Sequence, residues 1–322
     1  MFTLDELARA EGIVHEALRP TPAIAWPLIA RRLGTVAIVK HENHNPTGAF
    51  KVRGGLTFVD ALLRRQPQTR GLISATRGNH GQSLAFAGRR RGLPVTIYVP
   101  RGNSVEKNAA MQALGAELVE FGDDFQAARE EAMRVADGLG FEAVPSFHRD
   151  LVHGVATYAL ELLSEHSDLD VLYVSIGQGS GVCGCIAARD ALGLKTEIVG
   201  VQANAAPAYA LSLAAGRVIS TETCDTLADG MATRTPDAEA VEIIARGAAR
   251  IALVSDEEIA EAIRIYWRDT HNLAEGAGAA PLAAALQERD RLKGKKVGLV
   301  LSGANIDFDL FQRWAAPGAK LT

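Results

Sequence analysis

The stretch Gly71-Leu-Ile-Ser-Ala-Thr-Arg-Gly-Asn-His-Gly81 passes from a short apolar run into a polar turn and then into a helix-like segment that continues to Arg91. It reads as strand, loop and helix, and the pattern repeats. Val95 to Val99 is a strand, Glu106 to Leu114 a helix, Glu117 to Phe121 a strand and Phe125 to Gly138 a helix. Strands alternating with helices of this length give right-handed βαβ units and a parallel sheet. A second series starts at Val171 to Ile176 and continues through Ile186 to Leu192 and Glu197 to Gln202. After a long irregular stretch it resumes with Asp256 to Thr270, Ala279 to Arg291 and Lys296 to Leu301. Upstream, Leu4 to Leu18 has helical spacing behind a Thr3/Glu6 capping box, and Ile24 to Ala30 and Val36 to Lys40 supply a short helix and a strand. The expectation is an α/β protein of two open, twisted parallel-sheet domains with a cleft between them. Residues 69–149 form the smaller, and 1–68 with 150–322 the larger.

With 322 residues and 48% apolar content the chain can bury a full core. A net charge of -4 with interspersed signs argues against a nucleic-acid or membrane surface. No apolar run reaches membrane-spanning length and the acidic start is unlike a secretory signal, so a cytoplasmic location is expected. Cys183, Cys185 and Cys224 form neither a disulfide framework nor a zinc pattern and read as free packing thiols. His41 and His44 lack further ligands, so no metal site is expected there.

Ligands of open parallel sheets bind at the carboxyl ends of strands, which directs attention to the loops. Pro46-Thr-Gly48 spells a turn, placing Lys51 at a helix start. Helix N-termini carry partial positive charge, so the ammonium is disfavoured there and the nucleophilic neutral amine relatively favoured. Lys51 is thus either a solvated surface lysine or a Schiff-base lysine for a carbonyl compound, pyridoxal phosphate above all, with Phe50 as a flat wall. Thr76-Arg-Gly-Asn-His80 is either an ordinary turn capped by Asn79 or a carboxylate site at a helix start. Gly177-Gln-Gly-Ser-Gly181 follows a strand and lets backbone approach a phosphate, without a Walker lysine or a dinucleotide spacing. Ala274-Glu-Gly-Ala-Gly278 and Leu301-Ser-Gly-Ala-Asn305 complete the set; Ser302 is neutral and can share a hydrogen bond with a ring nitrogen, where a carboxylate would hold that nitrogen protonated.

In this order, Asn45 to Gly54, Thr76 to His80, Gly177 to Gly181, Glu275 to Gly278 and Ser302 to Asn305 resemble the fold-type II pyridoxal-phosphate enzymes, whose fold is tryptophan synthase β-like. The match is nearest to the serine/threonine dehydratase and serine racemase branch and runs from about Thr21 to Asp307. The resemblance implies pyridoxal 5'-phosphate in the cleft, with Lys51 as Schiff-base lysine and then base, Phe50 flanking the ring and Asn79 on the phenolic oxygen. It implies Gly177, Gln178, Gly179, Ser180 and Gly181 around the phosphate, Ser302 at the ring nitrogen and Glu275 nearby for proton handling. Thr76, Arg77, Gly78, Asn79 and His80 would receive the substrate. The implied reaction is α,β-elimination from a β-hydroxy-L-amino acid of the threonine or serine kind, releasing a 2-oxo acid and ammonia. A homodimer is usual for the family.

Two departures narrow this. Arg77 stands where the branch carries a small residue, and a guanidinium does not deprotonate, so racemisation is not expected. Arg77 either pairs an anionic substrate side chain, such as that of hydroxyaspartate, or turns outward or toward an Asp such as Asp123. Gln202 to Ala208 lacks the carboxylates that hold a divalent ion in metal-activated relatives, so none is expected. The chain ends about twenty residues after Ser302, so no regulatory domain is expected. A β-replacement or threonine synthase shares the motifs, and a non-catalytic ligand sensor is disfavoured by the presence of Lys51. The β-substituent stays open among hydrogen, methyl, carboxylate and aryl; apolar Phe147, Ala205 and Met231 suit a bulky group.

Overall fold

Alternation along the central strands sets the layers, because successive side chains face opposite ways and both faces are buried there. The computed structural model describes residues 1–316. Among these residues ten strands form two sheets: β1 (Ala23–Ala25), β2 (Ala37–His41), β3 (Leu72–Ala75), β4 (Val95–Val99), β5 (Glu117–Glu120), β6 (Glu142–Ala143), β7 (Val171–Ser175), β8 (Glu197–Ala203), β9 (Arg250–Val254) and β10 (Val297–Leu301). The larger sheet runs β1-β2-β10-β7-β8-β9 and the smaller β5-β4-β3-β6, every pairing parallel except β1 with β2. Along β7 and β8, Val171, Tyr173, Val199 and Val201 enter one apolar layer while Leu172, Val174 and Ile198 enter the other. In the smaller sheet Leu72 and Ile97 face one layer and Ile73 and Tyr98 the opposite one. The open parallel architecture expected from the alternation is present.

Several boundaries differ from the sequence expectation. The first helix, Leu4–His15, keeps its Thr3/Glu6 capping box but stops short of Leu18. β1 occupies Ala23–Ala25, and the short helix follows at Pro27–Leu33. The helices expected from Gly81, Ile186 and Ala279 begin earlier, as Asn79–Arg90, Ser180–Ala191 and Gly276–Gln287, so each loop delivers its polar residues to a helix start. The irregular stretch before Asp256 contains helices Ala208–Ala215 and Ala238–Gly247 and the strand β9. Helix Arg149–Glu165 has no counterpart in the sequence expectation; residues 154–160 are buried without interruption, so no polar stripe marks it. Among the described residues no helix is long and apolar enough to cross a membrane.

That unanticipated helix fixes the Lys51–Arg65 helix. The two meet at glycines: a Cβ on Gly154 would lie 2.1 Å from the Arg53 carbonyl oxygen, and one on Gly54 would lie 2.7 Å from that of Leu151. Thr57 Oγ1 donates to the Asp150 carbonyl at 2.7 Å across the same contact. Gly154→Ala gains helix propensity yet must push backbone apart, so the protein is expected to lose about 1–3 kcal/mol of unfolding free energy. Gly12→Ala, whose Cβ meets nothing within 4 Å, should be neutral or stabilising. Urea denaturation of both variants checks the pair, and equal midpoints would contradict the close-packing account.

Candidate active site

Five separated loops converge at the carboxyl ends of β2, β3, β7 and β10. Lys51 opens its helix behind Phe50, which supplies no side-chain cap. The chain just before it is fastened to the end of β10, since the Phe50 N–H donates to the Ser302 carbonyl at 3.0 Å and Ala49 bridges Gly303. Lys51 Nζ donates to Ser180 Oγ at 3.2 Å and stands 5.3 Å from the Phe50 ring centre; Phe50 meets Tyr158 edge to face. Loss of water around the amine pushes it down to about 8, against the opposing pull of the Glu275 carboxylate. Lys51 is half-buried in the cleft wall, so the reading as a freely solvated surface lysine is set aside.

Ser180 begins helix Ser180–Ala191, whose preceding Gly179 has φ +96 and caps nothing by side chain. A Cβ on Gly177 would come within 2.1 Å of the Gly230 carbonyl oxygen, so only glycine fits there. The Gln178 carbonyl is held by the Tyr209 hydroxyl at 2.9 Å. Ser302 is buried, with its Oγ 3.5 Å from Ser175 Oγ.

Asn79 is the first helical residue, with Gly78 at the cap, so the alternative in which Asn79 caps an ordinary turn is set aside and the side chain bridges instead. Its Nδ2 donates to Glu275 Oε1 at 2.7 Å and its Oδ1 accepts from Asn305 Nδ2 at 2.7 Å, while Asn305 also reaches the Thr47 carbonyl at 2.8 Å. Burial pushes the Glu275 carboxyl up to about 7, resisted by Lys107, by the Asn79 hydrogen bond and by Lys51, and reinforced by Asp229. Thr76 is buried and its Oγ1 accepts the Gly78 N–H at 3.2 Å. His80 is buried with an unpartnered Nε2; desolvation, then the Lys51 charge, push it down to about 3, against a hydrogen bond with the Val144 backbone, so the ring is neutral.

Arg77 is exposed, and among the described residues its guanidinium makes no ion pair; Asp123 pairs with Arg101 at 2.8 Å instead. It lines a polar cavity of about 390 Å³ shared with Arg101, Asn103, Ser104, Asp229 and Asp307. The motifs give no sign of Lys107, which is buried and donates to Asp229 Oδ2 at 2.8 Å beside this cavity, because it stands in the first turn of helix Val105–Ala113 outside all of them. They also leave Asn305 without a role, although that residue stands in one of them.

Residues weighed for metal chemistry have other duties. His41 is buried, stacked on His44 and bonded by Trp26 Nε1–H at 2.9 Å, and burial pushes it down to about 4. Gln202 satisfies backbone, donating to the Ala206 carbonyl at 3.0 Å and accepting the Ala210 N–H at 2.9 Å. Cys183 and Cys185 are fully buried free thiols, and burial pushes Cys185 up to about 12.

A desolvated lysine with a lowered affinity for its proton, facing an uncapped helix start, with a neutral serine at the next strand end, fits a phosphorylated pyridine aldehyde: amine for aldehyde, amides for phosphate, hydroxyl for ring nitrogen. Comparison with known proteins agrees. A family described as pyridoxal-phosphate dependent enzyme matches residues 14–303, and the chain belongs to it. L-threonine ammonia-lyase of Thermotoga maritima is 32% identical over 314 residues, 97% of this chain and 78% of that protein. L-threo-3-hydroxyaspartate ammonia-lyase of Saccharomyces cerevisiae is 30% identical, covering 95% and 94%. Among solved structures, a pyridoxal 5'-phosphate-dependent aspartate racemase superposes with a TM-score of 0.90 at 28% identity over 95% of this chain and 97% of that one. The processed form of threonine deaminase isoform 2 from Solanum lycopersicum does so with 0.89 at 26% over 97% and 93%. The fold is that of the fold-type II pyridoxal-phosphate enzymes.

The position of Glu275 makes a pH prediction. Its carboxyl is raised to about 7 in the folded state from an ordinary 4.5, so the native protein binds the extra proton between these values. Its contribution is fully favourable below 4.5 and is lost as pH rises through 7. In cofactor-free protein, Glu275→Gln should therefore match the wild type near pH 4.5 and exceed it by roughly 2–3 kcal/mol at pH 8. Denaturant titrations at the two pH values test this; a constant difference would contradict the burial of an ionising carboxyl.

Proposed function

We propose that the protein is a pyridoxal-phosphate-dependent ammonia-lyase that converts a β-hydroxy-L-amino acid to a 2-oxo acid and ammonia by α,β-elimination. The observation that carries this reading is the desolvated Lys51 amine, 3.2 Å from Ser180 at an uncapped helix start, with the neutral Ser302 tied to the preceding residue through the Phe50 N–H. The ammonia-lyase activities named for the relatives support it.

Lys51 would hold the aldehyde, Phe50 would flank the ring, Asn79 would meet its phenolic oxygen and Ser302 its nitrogen. Gly177, Gln178, Gly179, Ser180 and Gly181 would take the phosphate. When bound, the cofactor supplies an electron sink that acidifies the substrate's α-hydrogen. Lys51, with its affinity for protons lowered to about 8, can take that hydrogen and release it again near neutral pH. Glu275, raised to about 7 and bonded to Asn79, can hold or pass a proton in the same pH range. Thr76, Gly78, Asn79 and the neutral His80 would orient the substrate carboxylate by backbone and side-chain donors. Because Ser302 is neutral, nothing on that side holds a ring nitrogen protonated, which favours elimination over transamination.

Arg77, exposed and without an ion pair among the described residues, is free to pair an anionic β-substituent, and a relative named L-threo-3-hydroxyaspartate ammonia-lyase fits that preference. The same reading takes residues 69–149 as a small domain closing on 1–68 and 150–322, in a cytoplasmic homodimer as the family resemblance implies.

The test offers L-serine, L-threonine, both hydroxyaspartate diastereomers and phenylserine to the holoenzyme and to Arg77→Ser, following 2-oxo acid and ammonia. Release of both products is expected, with kcat/KM for hydroxyaspartate falling at least about tenfold in Arg77→Ser while serine and threonine change little. Absence of ammonia with every substrate would replace this reading by that of a β-replacement synthase.

A further inference from the structure

The loop that would receive the substrate does not rest on its own sheet alone. Behind it lies helix Val105–Ala113, and a Cβ on Gly78 would come within 2.9 Å of Lys107 Cδ, so the lysine stem forms the floor under the loop. Asn103 Nδ2 steadies the same loop by donating to the Arg77 carbonyl at 3.3 Å. The Lys107 ammonium continues past the floor to Asp229, which opens the short 3-10 turn Asp229–Met231 on the large-sheet side.

That turn is a wedge between two other parts of the site. The Gly230 carbonyl is the atom that excludes a side chain from Gly177 in the glycine-rich loop, and a Cβ on Gly230 would lie 2.9 Å from Ala277 Cβ, two residues beyond Glu275. A Cβ on Gly276 would likewise meet Ala228 at 2.8 Å. The start of the Lys107 helix has two more ties to the large-sheet side, from the Ser104 hydroxyl to the Asp307 carboxylate and from the Phe308 N–H to Glu106 Oε1 at 2.9 Å.

We infer that Lys107 is a positioning residue whose bridge to Asp229 ties the substrate-receiving loop to the wedge between the glycine-rich loop and Glu275, and whose charge acts on the Glu275 carboxyl across the small pocket that Lys107, Asp229 and Glu275 line together. The groups that govern Glu275 are Lys107 and Lys51, which favour its ionised form, and Asp229, which opposes it. Lys107 is itself held charged by Asp229, Glu275 and Asp307 against its burial. Removing Lys107 and removing the Asp229 charge therefore act on Glu275 with opposite signs, while both break the bridge.

The inference rests on the active-site reading above, and its test is built to fail separately. Lys107→Met, Lys107→Arg and Asp229→Asn holoenzymes are compared by the pH dependence of kcat/KM and by pH titration of the cofactor's visible absorption, which needs no turnover. Lys107→Met should raise the amino-acid KM about tenfold, the size of an ordinary coupling between linked sites. It should also move the pH limb belonging to Glu275 up by about one unit. Lys107→Arg should keep that limb in place and recover most of the KM. Asp229→Asn should raise KM as well, yet move the limb down. If Lys107→Met does not fold, the sign of the shift in Asp229→Asn and the retained limb in Lys107→Arg decide the matter. An unmoved limb in Lys107→Met, shifts of one sign in both charge-removing variants, or an unchanged KM overturns the inference. If no hydroxy amino acid is turned over but the absorption limbs move as stated, the reaction assignment has failed and the role of Lys107 stands.

Discussion

The guanidinium of Arg53, wholly buried two residues after Lys51, lies between the carboxylates of Glu42 and Glu161. Nε and one terminal nitrogen reach both oxygens of Glu42 at 2.8 and 3.0 Å, and the terminal nitrogens reach Glu161 at 2.6 and 3.0 Å. Lys40 closes the group by donating to Glu161 at 2.5 Å, so two buried cations face two buried anions. Charges removed from water are tolerable only when paired and hydrogen-bonded in this way, and removing one partner typically costs about 3–5 kcal/mol. The pairing holds Glu161 down to about 2 and the guanidinium firmly charged. One helix turn thus carries two basic residues with opposite fates: Arg53 is given carboxylate oxygens, and Lys51 is given a serine hydroxyl. The first is an anchor, and the second keeps an amine that holds its proton less tightly.

Around that anchor the cleft is shaped by backbone approaching backbone. Gly154 against Arg53 sets the depth of the lysine helix, Gly177 against Gly230 sets the glycine-rich loop, and a Cβ on Gly303 would lie 2.4 Å from Glu275 Oε1. These contacts leave no room for a side chain, so the loops pack directly against one another. Asn79, reaching Glu275 and Asn305 at 2.7 Å each, extends the same coupling to the smaller sheet.

The alternation of β3, β4 and β5 with helices is legible in the sequence because short apolar strands and polar loops contrast strongly along the chain. The loops that form the site are legible for a related reason: their glycines admit a close backbone approach that a side chain would block, and their polar residues stand at helix starts. Helix Arg149–Glu165 is not, since a helix buried on nearly every face has no 3.6-residue contrast to show. The helices and strand before Asp256 are short, and their Pro, Gly and Thr neighbours read as loop. Lys107 and Asp229 lie 122 positions apart, and nothing local in either stretch announces that they meet. Asn79 reads as a cap because its place at a helix start allows that use; its partner lies 196 residues away.

The central claim is that the Lys51 amine, and no other lysine in the cleft, is the one that binds the cofactor's aldehyde. Borohydride reduction of the holoenzyme followed by peptide mass mapping tests it most directly, because reduction fixes the linkage where it formed. The account predicts a pyridoxyl group on the peptide containing Lys51 and unmodified Lys107. A label on Lys107, or cofactor released without any label, would contradict it.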